Sequence, residues 1–98
     1  MSLPLWFHPD AETELNDSAD YYAAQSPGLD RQFIAEIERS LAHIVAFPKA
    51  AAPVRERTRS KVLRGYPYAL MYSVTDSAIR VLAVAHQKRR PFYWDDRE

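Results

Sequence analysis

The chain has 98 residues and no cysteine, and 47% of its residues are hydrophobic and 27% are charged. This length and composition predict one small globular domain over residues 1–98. The absence of cysteine excludes disulfides, thiolate metal sites and cysteine nucleophiles. Unbroken apolar runs are far shorter than the roughly 18 residues of a membrane-spanning helix. Because the chain also lacks a basic-then-apolar leader, we expect a cytoplasmic protein with no membrane association.

The neutral total charge hides a separation along the chain. Residues 1–50 hold eight acidic and three basic side chains, a net charge of −5, whereas residues 51–98 hold ten basic and five acidic ones, a net charge of +5. This separation predicts an acidic layer and a basic layer in the folded protein. The basic layer is the expected contact for an anionic partner, although such charges also serve solubility alone.

The first half of the chain predicts a strand and a helical hairpin. Residues 3–7 have the length and apolar character of a strand, and Pro9-Asp10 is typical of helix entry. Helical spacing of apolar residues runs from Asp10 to about Gln25, leaving acidic positions for water: Glu12, Glu14, Asp17 and Asp20. A second helix is expected to be capped by Asp30 and to end before Phe47. The short break at residues 26–28 makes the two helices an antiparallel hairpin.

The second half predicts a loop followed by three strands. Residues 49–54 show no period and are expected to form the loop, and the strands are expected at 55–63, 68–75 and 78–86. Turns are predicted at Arg64-Gly65-Tyr66-Pro67 and at Asp76-Ser77. The order β-α-α-β-β-β predicts an α+β fold, with the helical hairpin packed on one face of a small, mainly antiparallel sheet and the first strand at an edge. The apolar run 81–85 suggests a central strand, and the second sheet face is expected to be open.

Basic residues alternate along the first of these three strands. Arg55, Arg57, Arg59 and Lys61 would leave the same face of an extended strand. This pattern suits recognition of an anionic partner, but it also suits an edge strand that uses charge to prevent pairing with another sheet.

A second cluster lies at the end of the chain: His86, Lys88, Arg89, Arg90, Pro91-Phe92-Tyr93-Trp94 and Arg97. Histidine transfers protons near neutral pH, arginine binds phosphate, and aromatic rings stack on bases, so the set has the chemistry of RNA cleavage. The alternative is structural, with a hydrogen-bonded histidine and aromatic rings that close the core. His8 and His43 lack companions at ligand spacing, so neither a metal site nor a cofactor is predicted.

Taken in order, these residues resemble the RelE/ParE superfamily of bacterial toxins. The resemblance covers almost the whole chain and includes Glu14-Leu15, Tyr21-Tyr22, Pro27-Gly28-Leu29, Phe33, Glu36, the basic strand, Tyr66-Pro67-Tyr68, Tyr72, His86, Arg89, Pro91, Tyr93-Trp94 and Arg97. It implies the toxin of a type II toxin–antitoxin, or plasmid stabilisation, module that is neutralised by a cognate antitoxin. A dimer of the isolated chain or a toxin–antitoxin hetero-oligomer is therefore expected. The residues expected to bind the partner are Arg55, Arg57, Arg59, Lys61, Arg64 and Arg89.

The superfamily divides by target, and the resemblance favours its ParE branch. RelE-like members cut messenger RNA on the ribosome with basic side chains and a C-terminal tyrosine. Where they carry arginines, this chain has Ala69 and Gln87, although Tyr93 matches the tyrosine. The resemblance therefore implies a ParE-like toxin that poisons DNA gyrase. The alternatives are a ribosome-dependent mRNA endonuclease, with Arg59, Lys61, Arg64, His86 and Tyr93 as candidate catalytic residues, and a degenerate toxin that only binds its antitoxin.

Overall fold

The computed structural model describes residues 2–97 and contains two helices and five strands. In chain order these are β1 (Leu5–Phe7), α1 (Pro9–Gln25), α2 (Leu29–Ala46), β2 (Ala52–Arg55), β3 (Thr58–Val62), β4 (Tyr68–Val74) and β5 (Ile79–His86). The strands form one mixed sheet in the order β1-β5-β4-β3-β2, and the helices pack on one of its faces. The predicted α+β fold is confirmed, but the sheet has five strands where the sequence predicts four.

Local sequence explains where the helices begin. The Nδ1 atom of His8 accepts a hydrogen bond from the Asp10 amide at 3.0 Å, and Pro9 opens α1 with a backbone angle suited to the first turn. Gly28 precedes α2 with φ of 90°, a left-handed conformation that favours glycine. The prediction that Asp30 caps α2 is therefore wrong, because Asp30 lies within its first turn.

Strands β2 to β5 form an antiparallel meander, and β1 joins β5 in parallel at the sheet edge. The edge position predicted for the first strand is confirmed. The run 81–85 lies in β5, which is interior between β1 and β4, but the central strand is β4. Asp76-Ser77 forms the predicted tight turn, in which the Thr75 hydroxyl accepts the Ala78 amide at 3.1 Å.

The segment predicted as one strand over residues 55–63 is two strands. A turn at Glu56-Arg57 folds β3 back against β2, and the predicted loop 49–54 contains most of β2. Polar alternation continues through a turn that lacks Gly, Asn and Pro, so the sequence carries no turn signal there. Proline has no amide hydrogen to donate to a neighbouring strand. Pro53 is tolerated because β2 is an edge strand, and no further strand lies on its solvent side.

The two faces of the sheet are covered differently. On the helix face, Phe33, Ile37 and Ile44 of α2 pack against Leu70 and Tyr72 of β4 in the main core. On the opposite side, which we call the outer face, residues 88–97 form the C-terminal segment, and its Trp94 packs on Leu82, Ala83 and Ala85. Trp94 is 3% exposed, so the second face, which was expected to be open, is partly covered by the C-terminal segment.

Candidate functional site

The alternating basic residues lie on both faces of the sheet. Arg59 pairs with Tyr72 and Lys61 with Leu70, so both project from the helix face beyond the edge of the core. Arg55 pairs with Thr58 on the outer face, and Arg57 lies in the turn. The predicted ladder on one face is wrong, because the turn at residues 56–57 and the register shift near Val54 interrupt the alternation.

Arg59 holds the connection between α2 and the sheet. Its Nη1 atom donates to the carbonyl oxygens of Lys49 at 2.9 Å and Ala51 at 2.8 Å. The neighbouring Tyr72 hydroxyl donates to the Pro48 carbonyl at 2.8 Å. The guanidinium of Arg59 is thus engaged in shaping the loop over residues 48–51.

Arg55 instead belongs to the outer face. Its guanidinium lies 3.8 Å from the centre of the Phe92 ring and 3.5 Å from the Asp95 carboxylate. Phe92 has φ of 59°, which is uncommon for a residue other than glycine, and its side chain is 41% exposed. Arg55 and Phe92 together connect β2 to the C-terminal segment.

Between the C-terminal segment and the sheet lies a cavity of about 340 Å³ that we call the outer groove. Its floor is formed by Ala69, Met71 and Ala85, Val54 forms one side, and Phe92 and Trp94 form the other. Charged and polar side chains also line it: His86, Gln87, Arg89 and Arg90. The outer groove therefore combines an apolar floor with a cationic rim.

The C-terminal segment is tied to α1 through Glu14. The Glu14 carboxylate accepts hydrogen bonds from Arg97 Nη1 at 2.9 Å and Nη2 at 3.1 Å and from the Tyr93 hydroxyl at 2.8 Å. Burial and the bond to Glu14 raise the pKa of Tyr93 well above its usual value of 10.0. Arg89 lies 3.9 Å from the centre of the Tyr93 ring, which is a contact within the C-terminal segment.

A second buried carboxylate joins α2 to the connection between β3 and β4. Glu36 accepts hydrogen bonds from Arg39 Nε and Nη2, each at 2.7 Å, and from the Arg64 amide at 2.7 Å. The Arg39 hydrogen bond lowers the Glu36 pKa from 4.5 to about 2, assisted by the Arg64 amide and opposed by burial. The Arg64 backbone is thus held in place while its side chain is exposed.

Comparison with known proteins agrees with this architecture and decides the family. The family described as the ParE toxin of the type II toxin–antitoxin system parDE matches residues 5–91. Toxin ParE2 of two Mycobacterium tuberculosis strains is 33% identical over 92 residues, which covers 93% of this chain and 88% of the relative. The chain belongs to the ParE toxin family.

This ParE-family chain also shares its fold with a solved structure titled as the chromosomal ParDE toxin–antitoxin system of Pseudomonas aeruginosa. The TM-score is 0.74 over 86% of this chain and 95% of the other, at 18% sequence identity. Within residues 2–97 of the ParE-family chain, no helix is long and apolar enough to cross a membrane. The described side chains also include no group of three His, Asp or Glu residues placed to hold a metal ion.

The candidate nuclease residues of this ParE-family toxin lie in different environments. Arg59 and Lys61 project from the helix face of β3, and Tyr93 binds Glu14 at the far side of β5. Because β4 and β5 lie between them, the two groups are separated by at least about 10 Å. His86 closes β5, where its Nδ1 atom accepts the Lys88 amide at 3.0 Å.

Two carboxylates organise the site of the ParE-family toxin although the sequence does not predict this role for them, Glu14 and Glu36. Glu14 was expected to face water, but its side chain is only 14% exposed. The available signal is its position on the helix, three residues after Ala11 and four before Ser18, which are both buried. Glu36 is one of the residues that carry the family resemblance, but nothing in the sequence predicts its contact with the Arg64 amide.

Proposed function

We propose that this ParE-family toxin binds the acidic tail of a cognate antitoxin in the outer groove, and that it arrests growth in the bacterial cytoplasm by binding DNA gyrase. The observation that carries the antitoxin proposal is the combination of an apolar floor with a cationic rim in the outer groove. An acidic tail with apolar anchors would complement both features, because opposite charge steers association and apolar burial supplies affinity.

The proposed binding surface differs from the six residues that the sequence suggested. Arg89 and Arg55 remain part of it, because both lie at the C-terminal segment. Arg57 and Lys61 remain predicted contacts with the antitoxin, outside the outer groove. They lie near the sheet edge, where charge also prevents pairing with another strand. Arg59 is assigned a mainly structural contribution through the Lys49 carbonyl. The exposed Arg64 side chain stays a predicted partner contact, because Glu36 binds only its backbone amide.

Charge reversal at the rim tests the antitoxin proposal. We expect Arg90→Glu to weaken antitoxin binding about tenfold at low salt, and less at high salt, because screening reduces rim electrostatics. Arg31→Glu on α2 changes the net charge equally but lies among the helical residues, so it serves as the matched control. Equal effects of the two variants on the dissociation constant would contradict the proposed site.

Gyrase is proposed as the target because membership of the ParE family agrees with the resemblance seen in the sequence. Arg59 and Lys61 lie too far from Tyr93 for the three side chains to surround one phosphate, which favours gyrase binding over RNA cleavage. Catalytic phosphoryl transfer requires charged groups positioned together at the reacting atoms.

Two measurements test the target, one with purified proteins and one in cells after induced expression. A supercoiling assay with purified gyrase and toxin is expected to show inhibition that the antitoxin reverses. Mapping of transcript 5′ ends is expected to show no new codon-phased cleavage. Codon-phased cuts would favour the endonuclease alternative, and the absence of growth arrest would favour a chain that only binds its antitoxin.

A further inference from the structure

The parallel strand β1 is shorter than the edge of β5 that it borders. It pairs with Ile79, Arg80 and Val81, and then ends at Phe7. Two backbone groups farther along β5 are bound by side chains instead. The Val84 amide donates to Glu14 Oε1 at 3.0 Å, and the Leu82 carbonyl accepts from Arg97 Nη1 at 3.1 Å. Beyond the end of β1, side chains from α1 and from the C-terminal segment thus form the hydrogen bonds with the β5 backbone.

The same two side chains bind each other with little access to water. The Arg97 guanidinium makes a two-point contact with the Glu14 carboxylate, and their side chains are 13% and 14% exposed. Tyr93 adds its hydroxyl to the same carboxylate at 2.8 Å. Charge-assisted bonds in this geometry are among the stronger polar contacts in proteins, and burial limits their screening by salt.

We propose that Glu14 is the positioning residue of the outer groove: from α1 it holds the C-terminal segment closed over the outer face, and so fixes the groove wall that carries Phe92 and Trp94. The role of this wall in binding an antitoxin rests on the proposed function. The position of the segment itself depends only on contacts within the chain.

The remaining contacts of the C-terminal segment are weaker or local. The pair between Arg55 and Asp95 is about half exposed on both sides, where ion pairs contribute little. Short-range bonds such as the one from the Asp95 amide to the Phe92 carbonyl at 3.0 Å do not attach the segment to the sheet. Trp94 packing, the Glu14 contacts and the Arg97 bond to the Leu82 carbonyl are therefore the main attachments of the segment.

Glu14→Gln tests the proposal with little change in side-chain size. The amide keeps one oxygen for the Val84 amide, but it removes the charge and presents donors to Arg97 and Tyr93. In a Trp6→Phe background Trp94 is the sole tryptophan, so its fluorescence reports the segment. We expect a red-shifted Trp94 emission, and amide exchange at residues 93–97 at least about tenfold faster than in the parent.

Two further variants separate positioning from a general loss of stability. Glu36→Gln removes a carboxylate that also binds an arginine in two-point geometry, but whose contacts are in α2 and at Arg64. It is expected to leave the Trp94 emission and the exchange at 93–97 unchanged under native conditions. Arg97→Gln is expected to open the segment as Glu14→Gln does. The double variant is expected to open it by less than the sum of the two single effects, because the two side chains share their two-point contact but each also has a contact of its own.

The outcomes distinguish this proposal from the proposed function. Parent-like emission and exchange in both Glu14→Gln and Arg97→Gln would overturn the positioning role. If Glu14→Gln does not fold, Arg97→Gln decides by the same readouts, because it lies beyond the last secondary-structure element. An opened segment with weakened antitoxin binding supports both proposals. An opened segment with unchanged binding supports positioning by Glu14 and refutes binding in the outer groove.

Discussion

Glu36 is expected to make the stability of the fold depend on pH. The Arg39 guanidinium and the Arg64 amide stabilise the charged carboxylate in the folded state, which lowers its pKa from 4.5 to about 2. In the unfolded chain these partners are lost and the pKa returns to its usual value. The folded state therefore releases this proton more readily than the unfolded state does. The resulting stabilisation is complete above about pH 5 and is lost as the pH falls towards 2.

The size of this contribution follows from the difference between the two pKa values. A fall from 4.5 to about 2 corresponds to roughly 3 kcal/mol of unfolding free energy. The Arg39 side chain is 36% exposed, and solvent screening is expected to reduce the contribution to about 2 kcal/mol. For a chain of 98 residues that is a change of about 10 °C in Tm.

The assay is thermal unfolding of the parent protein and Glu36→Gln between about pH 7 and pH 2.5. We expect the variant to melt about 10 °C lower at neutral pH and the gap to shrink below about pH 4.5. Comparing the two proteins at each pH removes the effect of the carboxylates they share. A gap that stays constant from neutral to acid pH, or that widens in acid, would refute the assigned role of the Glu36 charge.

Three further substitutions probe the fold by chemical denaturation. Leu70→Ala removes a fully buried core side chain and is expected to lower the unfolding free energy by about 3 kcal/mol; a loss below about 1 kcal/mol would contradict its central packing. Gly28→Ala introduces a side chain at φ of 90°, and we expect a loss of about 1 kcal/mol from backbone strain rather than any gain. Tyr72→Phe removes the bond to the Pro48 carbonyl and is expected to lose about 1 kcal/mol, so unchanged stability would exclude a contribution from that bond.

The order of elements was predictable because local patterns and tertiary packing agree over most of the chain. Helical periodicity located α1 and α2, and the buried strand β5 was visible as an apolar run. The division of residues 55–63 was not predictable from alternation alone. A turn made of Glu56 and Arg57 has the same polar character as the strands beside it, and only the pairing of β2 with β3 reveals it.

That one turn also explains why the candidate site was only partly predicted. The sequence predicts a cluster at the end of the chain, and Arg89 and Tyr93 of this cluster lie in contact. Alternation alone predicts one continuous strand with all its arginines on one face, whereas the turn at residues 56–57 divides it. The sequence predicts a solvated Glu14 because an acidic residue on a helix usually faces water, whereas here a basic segment 83 residues later in the chain covers it.

Binding in the outer groove is tested most directly by the methyl signal of Met71. This residue lies on the groove floor, and the only other methionine of the sequence is at position 1. Titration of the methyl-labelled toxin with its antitoxin is expected to shift the Met71 signal, and Arg90→Glu is expected to move the titration to higher antitoxin concentration. An antitoxin that binds at full stoichiometry without changing the Met71 methyl signal would contradict the proposed site.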